Sequence, residues 1–296
     1  MNSIHPTAII DPSAELGENL EIGPYCVVGA YVEIGSGTRL LNHVTVTGPT
    51  TLGVDNTVYP FSVIGADPQD LKFRGEVAPC LVGDRNVIRE HVTIHRGTRI
   101  GEGVTRVGSD NLIMVAAHIA HDCLVGSHCV IANQVMVGGH ALIEDGANIG
   151  GGAGIHHYTT IGTMSFVAGL CRVKKDVPPY MKVEGDPVEV RGVNTIALTR
   201  RCFSEHEITA LKDAYKRLFL HQRSQAPTNG HRLRGAEREA ARSVAMSDRI
   251  DELLREYQQF PTVVRLCESL RSAAGGVHGR SRELAREDSK YATPVK

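Results

Sequence analysis

Along the first two thirds of the chain an aliphatic residue falls at every sixth position: Ile4, Ile10, Leu16, Ile22, Val28, Ile34, and so on without a break to Ile64. The series resumes at Val82, Ile88, Ile94 and Ile100, shifts phase by one residue, and runs from Val107 and Ile113 to Val167 and Val173. Gly follows the aliphatic residue in many hexads, among them Gly17, Gly35, Gly83, Gly126 and Gly162. Small or aliphatic residues such as Cys26, Val32, Cys129 and Ala147 recur four places on. A hexapeptide repeat of this kind predicts a parallel β-helix. Each hexad forms one short flat strand and a corner, the aliphatic side chain fills the interior, and Gly relieves backbone crowding at the turn. Three hexads close one coil, so positions 18 apart in sequence stand about 4.8 Å above one another, the spacing of neighbouring strands.

Two stretches leave the pattern. Residues 66–80, ADPQDLKFRGEVAPC, are too polar to fill a coil, and residues 101–106 form a smaller excursion. Long loops on a rigid solenoid commonly carry function. Past Pro178, Pro179 and Pro187 the repeat ends and helical patterning begins. Ser204 and Glu207 make a capping box ahead of an apolar stripe of Ile208, Leu211, Tyr215 and Leu218. Further helices are expected over 236–258 and 261–274. The chain thus divides into a solenoid over 1–190, a C-terminal helical domain over 191–274 with a flexible insertion at 222–235, and a disordered tail over 275–296.

Composition fits a thin prism. Gly makes up 31 of 296 residues, Trp is absent and aromatics are 5%. The net charge of −1 hides an asymmetry. Residues 1–196 carry 13 Lys and Arg against 20 Asp and Glu, a balance of −7, whereas residues 197–296 carry 19 against 13, a balance of +6. A basic tail would steer an acidic partner. No recognised motif or aromatic interleaving accompanies the arginines, so nucleic acid is not the expected partner. No apolar run approaches the roughly 18 residues of a membrane span, and MNSIHPTAII lacks the basic and apolar regions of a secretory signal. Seven cysteines without a CxxC pair read as reduced, buried thiols of a cytoplasmic protein.

The candidate chemistry is histidine. Of 14 in the chain, six fall between positions 118 and 157: His118, His121, His128, His140, His156 and His157. By the 18-residue stack, His121 lies under Gly139 and Gly139 under His157, while Asp122 lies under His140 and His140 under Tyr158. One outer corner therefore gathers imidazoles, a carboxylate and a Gly with an approachable N–H. Three readings remain open: a general base, for which His has the apt pKa; a metal site of three imidazoles, with His118 and His121 as ligands; and plain decoration of an outer face.

The stretch GSDNLIMVAAHIAHDCLVGSHCVIANQVMVGGH (108–140), with QDLKFRGE (69–76), TIHRGT (93–98), DVPPY (176–180) and GVNTIALTRR (192–201), closely resembles the acyl-carrier-protein-dependent UDP-N-acetylglucosamine O-acyltransferases that start lipid A biosynthesis. The resemblance implies an all-β left-handed parallel β-helix with a C-terminal α-helical domain. It implies a cytoplasmic homotrimer with sites in the grooves between prisms, and transfer of a 3-hydroxyacyl chain from acyl carrier protein to the glucosamine 3-hydroxyl of UDP-N-acetylglucosamine. His121 matches the catalytic base, Asp122 its assisting carboxylate, and Gly139 the residue whose N–H forms the oxyanion hole. Asp70, Lys72, His118, His140 and His156 match substrate-binding positions. Asn194, Arg200 and Arg201 match those at the uridine-diphosphate end, where guanidinium groups suit phosphate. Gly169 matches the position whose bulk limits acyl length, and Gly there leaves room for a longer chain. No metal, cofactor or covalent intermediate is implied.

Two residues depart from the family pattern: His157 stands where Gln is usual, and Ile196 replaces an acidic residue. His157 is kept among the substrate contacts and leaves a 3-amino UDP-sugar open as the acceptor. The alternative from another class is a zinc hydratase of the γ-carbonic anhydrase type, with histidines shared between subunits.

Overall fold

The computed structural model describes residues 1–99, 103–220 and 235–274. Ile100, the insertion at 222–235 apart from Gly235, and the tail over 275–296 lie outside the described residues. The chain forms three sheets of 11, 9 and 8 strands that wind into a β-helix, parallel throughout except at the last strand of the first sheet. In the middle of the solenoid the register advances by 18 residues per coil: His118 pairs with Met136, Met136 with Gly154, and Gly154 with Arg172. The strands are mostly two residues long. Their stability comes from the stack, because the interior aliphatics beyond the first coil are covered above and below. Leu40, Val58, Ile88, Ile113, Ile131 and Ile149 are fully buried, each contributing roughly 1.5–3 kcal/mol relative to an exposed side chain.

A second ladder, buried and polar, runs up the corner between the third and first faces. Asn86 donates from its N–H and its Nδ2 to Asn56 Oδ1, at 2.9 and 3.0 Å. Asn111 N–H donates to Asn86 Oδ1, and Cys129 N–H to Asn111 Oδ1. Each side-chain amide also donates to a Gly carbonyl on the next coil, Gly83, Gly108 or Gly126. Buried amides are tolerated there because their hydrogen-bonding groups are used.

Both excursions leave from one corner, that between the second and third faces, in consecutive coils. The first spans the gap between strands Val63–Ala66 and Cys80–Val82. The second falls between Thr93–His95 and Thr105–Val107. It therefore starts earlier than the periodicity indicates, because Ile94 is the last interior position before it. The coil directly above turns the same corner tightly, from His118–Ile119 to Leu124–Val125, with His121 and Asp122 at the bend.

At the C-terminal end, strand Glu189–Val193 pairs antiparallel with Met181–Glu184. Helices follow: α1 over Thr195–Arg200, α2 over Glu205–Tyr215 with a π-helical extension Lys216–Leu220, α3 over Gly235–Glu256 and α4 over Pro261–Ala274. Glu207 N–H donates to Ser204 Oγ at 3.2 Å, capping α2. Met181, Leu198, Leu211, Leu253, Val263 and Leu266 share a core that joins the helices to the last coil. Arg265 of α4 reaches back to Glu144 at 3.1 Å. Six cysteines are buried, but Cys202 is exposed, because it sits in the turn between α1 and α2 and not in a coil.

Candidate active site

The His121 corner brings its partners in from three consecutive coils. His121 Nδ1 is 2.8 Å from Asp122 Oδ2, with the imidazole 14% exposed and the carboxylate fully buried. Asp122 occupies a left-handed corner position at φ 58°, a conformation Asp tolerates better than most residues. Its carboxylate is further held from the second excursion: Thr98 N–H donates to Oδ1 at 3.0 Å and Thr98 Oγ1 to Oδ2 at 2.6 Å. Thr105 Oγ1 accepts from Asp122 N–H at 2.8 Å. Burial pushes the Asp122 pKa up, but the hydrogen bonds from His121 and Thr98, with His140 nearby, outweigh it and hold the carboxyl below its usual value.

One coil higher, Gly139 lies against the His121 ring. A Cβ built on it would stand 2.8 Å from both Cε1 and Nε2. The N–H groups on either side are committed, Gly138 to Ile155 O and His140 to His121 O, whereas among the described residues that of Gly139 donates to no backbone carbonyl. His140 meets the His121 ring edge-on at 5.0 Å and stacks on Tyr158 at 4.5 Å. The donor atoms of His121, Asp122 and His140 lie within 4.8 Å of one another, so this trio could take a metal ion. His118 Nδ1 is 2.7 Å from Thr93 Oγ1, and its ring meets His95 edge-on. Desolvation by burial, with His118 and His121 nearby, lowers the His95 pKa to about 4. Burial lowers that of His118 as well, with His121 adding to it. His156 and His157 rest ring to ring at 3.7 Å.

The second face beside this corner carries a groove of about 290 Å³, lined by His118, Met136, Gly154, His156 and Arg172 among others. Gly169 lies across that face, on the corner between the first and second faces, where a Cβ would come within 3.1 Å of Gly151 O. Asp70 and Lys72 are half-buried on the first excursion, with Lys72 N–H donating to Asp70 Oδ1 at 2.9 Å. His128 turns a different corner, between the third and first faces, and stays out of the cluster.

The nucleotide-end positions stand apart from this corner. Asn194 is buried and caps α1, its Nδ2 donating to Met164 O at 2.8 Å and its Oδ1 accepting from Ala197 N–H at 3.4 Å. Its N–H donates to Tyr180 O, just below the strand that lies four rungs above the His121 coil, or about 19 Å along the axis. Arg200 and Arg201 are exposed at the far end of α1. Within one chain they do not join the His121 corner.

Sequence reasoning overlooked Thr98, Thr105, His95 and Arg96. Arg96 donates from Nε and Nη2 to Asp67 Oδ1 at 3.0 and 2.6 Å, and its guanidinium lies over the Phe73 ring. A signal was available in TIHRGT, which runs from the last strand before the second excursion into the excursion itself, under His121.

A β-helix wound from hexads is the architecture of the hexapeptide-repeat transferases, and residues 105–139 match the family model of the bacterial transferase hexapeptide repeats. Residues 176–278 match the second domain of the UDP-N-acetylglucosamine O-acyltransferases. The chain is 39% identical to the LpxA of Acinetobacter baumannii, covering 90% of this chain and 96% of that one, with a TM-score of 0.78. It is 40% identical to the Moraxella catarrhalis UDP-N-acetylglucosamine O-acyltransferase, covering 91% and 97%, with a TM-score of 0.80. To the Francisella novicida UDP-N-acetylglucosamine acyltransferase it is 34% identical, covering 90% of each, with a TM-score of 0.77. The chain belongs to the UDP-N-acetylglucosamine O-acyltransferase family.

Proposed function

We propose that this chain transfers a 3-hydroxyacyl group from acyl carrier protein to the glucosamine 3-hydroxyl of UDP-N-acetylglucosamine, the first step of lipid A biosynthesis, with His121 as the general base. The observation that carries this reading is the contact of Gly139 with a His121 ring whose Nδ1 is engaged by a buried carboxylate. With Nδ1–H donated to Asp122, Nε2 is left as the acceptor. Nε2 takes the proton from the sugar hydroxyl as its oxygen bonds to the thioester carbonyl carbon. The tetrahedral oxyanion faces the Gly139 N–H. Collapse breaks the C–S bond, and the departing thiolate takes the proton back from His121. Asp122 holds the tautomer and stabilises the imidazolium.

Asp70, Lys72, His118, His140, His156 and His157 bind the sugar and the acyl chain in this scheme, and the groove on the second face receives the chain as far as Gly169. Asn194, by contrast, is used by the fold, and its part at the uridine-diphosphate end is to seat α1 so that Arg200 and Arg201 are presented. Those arginines serve a neighbouring subunit's site in a homotrimer. The exposure of Phe61, Met136 and Leu170 supports burial of this region against another prism. In α2 and the π-helical extension, α3 and α4, Arg217 pairs with Asp213, Glu252 and Glu256, and Arg271 with Asp251. By contrast Arg172, Lys174 and Lys175, at the edge of the groove, are exposed and not ion-paired within the described residues. They form the landing surface for an acidic carrier.

Incubation with mixed 3-hydroxyacyl carrier proteins and UDP-N-acetylglucosamine, read by mass spectrometry, should give the O-acyl ester. His121→Ala should abolish it. The clustering of His121, Asp122 and His140 supports a zinc-hydratase alternative, which predicts stoichiometric zinc and loss of activity on chelation; the acyl-transfer reading predicts activity that survives a chelator. A product formed only with a 3-amino sugar would move the acceptor assignment.

A further inference from the structure

We infer that Thr98 is a positioning residue for the base, the outer member of a His121–Asp122–Thr98 relay; this rests on the assignment of His121 as the base. Three observations converge on it. Thr98 is buried at 1% exposure. It spends both of its donors on the carboxylate, the N–H on Oδ1 and the hydroxyl on Oδ2. The hydroxyl shares Oδ2 with His121 Nδ1, so hydroxyl and imidazole compete for the electron density of one oxygen.

The consequence is a setting of both geometry and basicity. Two donors from one residue fix the plane of the carboxylate, and hence the direction in which Oδ2 holds the ring. The hydroxyl also draws charge from Oδ2, which weakens its hold on an imidazolium. Thr98 reaches this position from the second excursion, in the coil beneath His121. Among the described residues the titratable groups facing the dyad are imidazoles: His140, with Nδ1 3.9 Å from Asp122 Oδ2, and His95 and His118, on both of which the His121 charge acts.

Thr98→Val removes the hydroxyl at constant volume and keeps the N–H; Thr98→Ser restores the hydroxyl. For the valine variant we expect kcat to fall about tenfold, the loss of one charge-assisted hydrogen bond, with KM for the UDP-sugar within twofold of wild type. The acidic limb of kcat/KM should move up by about one pH unit, and Thr98→Ser should recover both. The His121 imidazole titration, followed by NMR, should move the same way, and that readout does not depend on turnover. An unchanged NMR titration in Thr98→Val, or a serine variant no better than valine, overturns the relay. His121→Ala run alongside separates this from the parent reading: activity that survives in it sinks the base assignment, whatever Thr98 does.

Discussion

At the residue scale, the site depends on what is missing from position 139. Gly139 needs no left-handed backbone, so alanine is conformationally permitted there, but its methyl would fall 2.8 Å from the His121 ring. Gly139→Ala should therefore leave the fold intact and displace the base, lowering kcat on the order of 10²-fold, the cost of about an ångström of misplacement. Circular dichroism and steady-state kinetics on one preparation test this; full activity in a folded variant would refute it. His95 makes a different prediction. Its folded pKa of about 4 lies below the unfolded value near 6.5, so the unfolded chain takes up the proton first. Its stability contribution is whole above about pH 6.5 and is lost as pH falls toward 4. Thermal unfolding followed from pH 7 to 4.5 should show a shallower loss of Tm in His95→Gln than in wild type, and equal slopes would contradict it. His118 shifts in the same direction and steepens the same window.

At the scale of elements, the two excursions act as one device. Arg96 holds the first through Asp67 and Phe73, and Pro79 O accepts from both Gly97 N–H and Thr105 N–H. Arg96→Met keeps most of the packing and frees the loop that carries Asp70 and Lys72. KM for UDP-N-acetylglucosamine should rise severalfold while kcat stays within about twofold; a KM unchanged in titration kinetics would show that the loop holds its shape unaided. These elements also mark how far the sequence could be read. Hexads were legible because one interior side chain per strand is a strong periodic constraint, and the stack put Gly139 over His121 from spacing alone. Thr98 and Arg96 were hidden, since threonine and arginine are ordinary outward residues and the excursion destroys the phase that would assign their register. The asparagine ladder was hidden for a related reason: Asn56, Asn86 and Asn111 fall in slots that small or aliphatic residues fill elsewhere, and only the stack shows their amides meeting.

At the scale of the molecule, charge separates into tail and prism, but the net +6 beyond residue 196 is not a bare basic face. Arg217 and Arg271 are tied to acids within the helices and Arg265 to Glu144, and such exposed pairs contribute little stability while muting the field. Exposed cations not held in such pairs also stand beside the groove, at Arg172, Lys174 and Lys175. Reversing Lys174 and Lys175 to Glu should lower kcat/KM for a carrier-bound donor by more than tenfold at low salt and remove most of its ionic-strength dependence. A short pantetheine thioester should be used as before. Equal effects on both donors would point to the pocket and not to docking.

The 18-residue register has one more consequence, which concerns how such a protein can change. Height along the axis is digital: a group moves by whole rungs of about 4.8 Å or not at all. Duplicating one coil between His140 and Gly169 would lift the far end of the groove by one rung while leaving every local contact of the dyad in place. Substitutions at a corner then give the fine adjustment and copied coils the coarse one, so the acyl lengths open to this scaffold fall into steps before any side chain is altered.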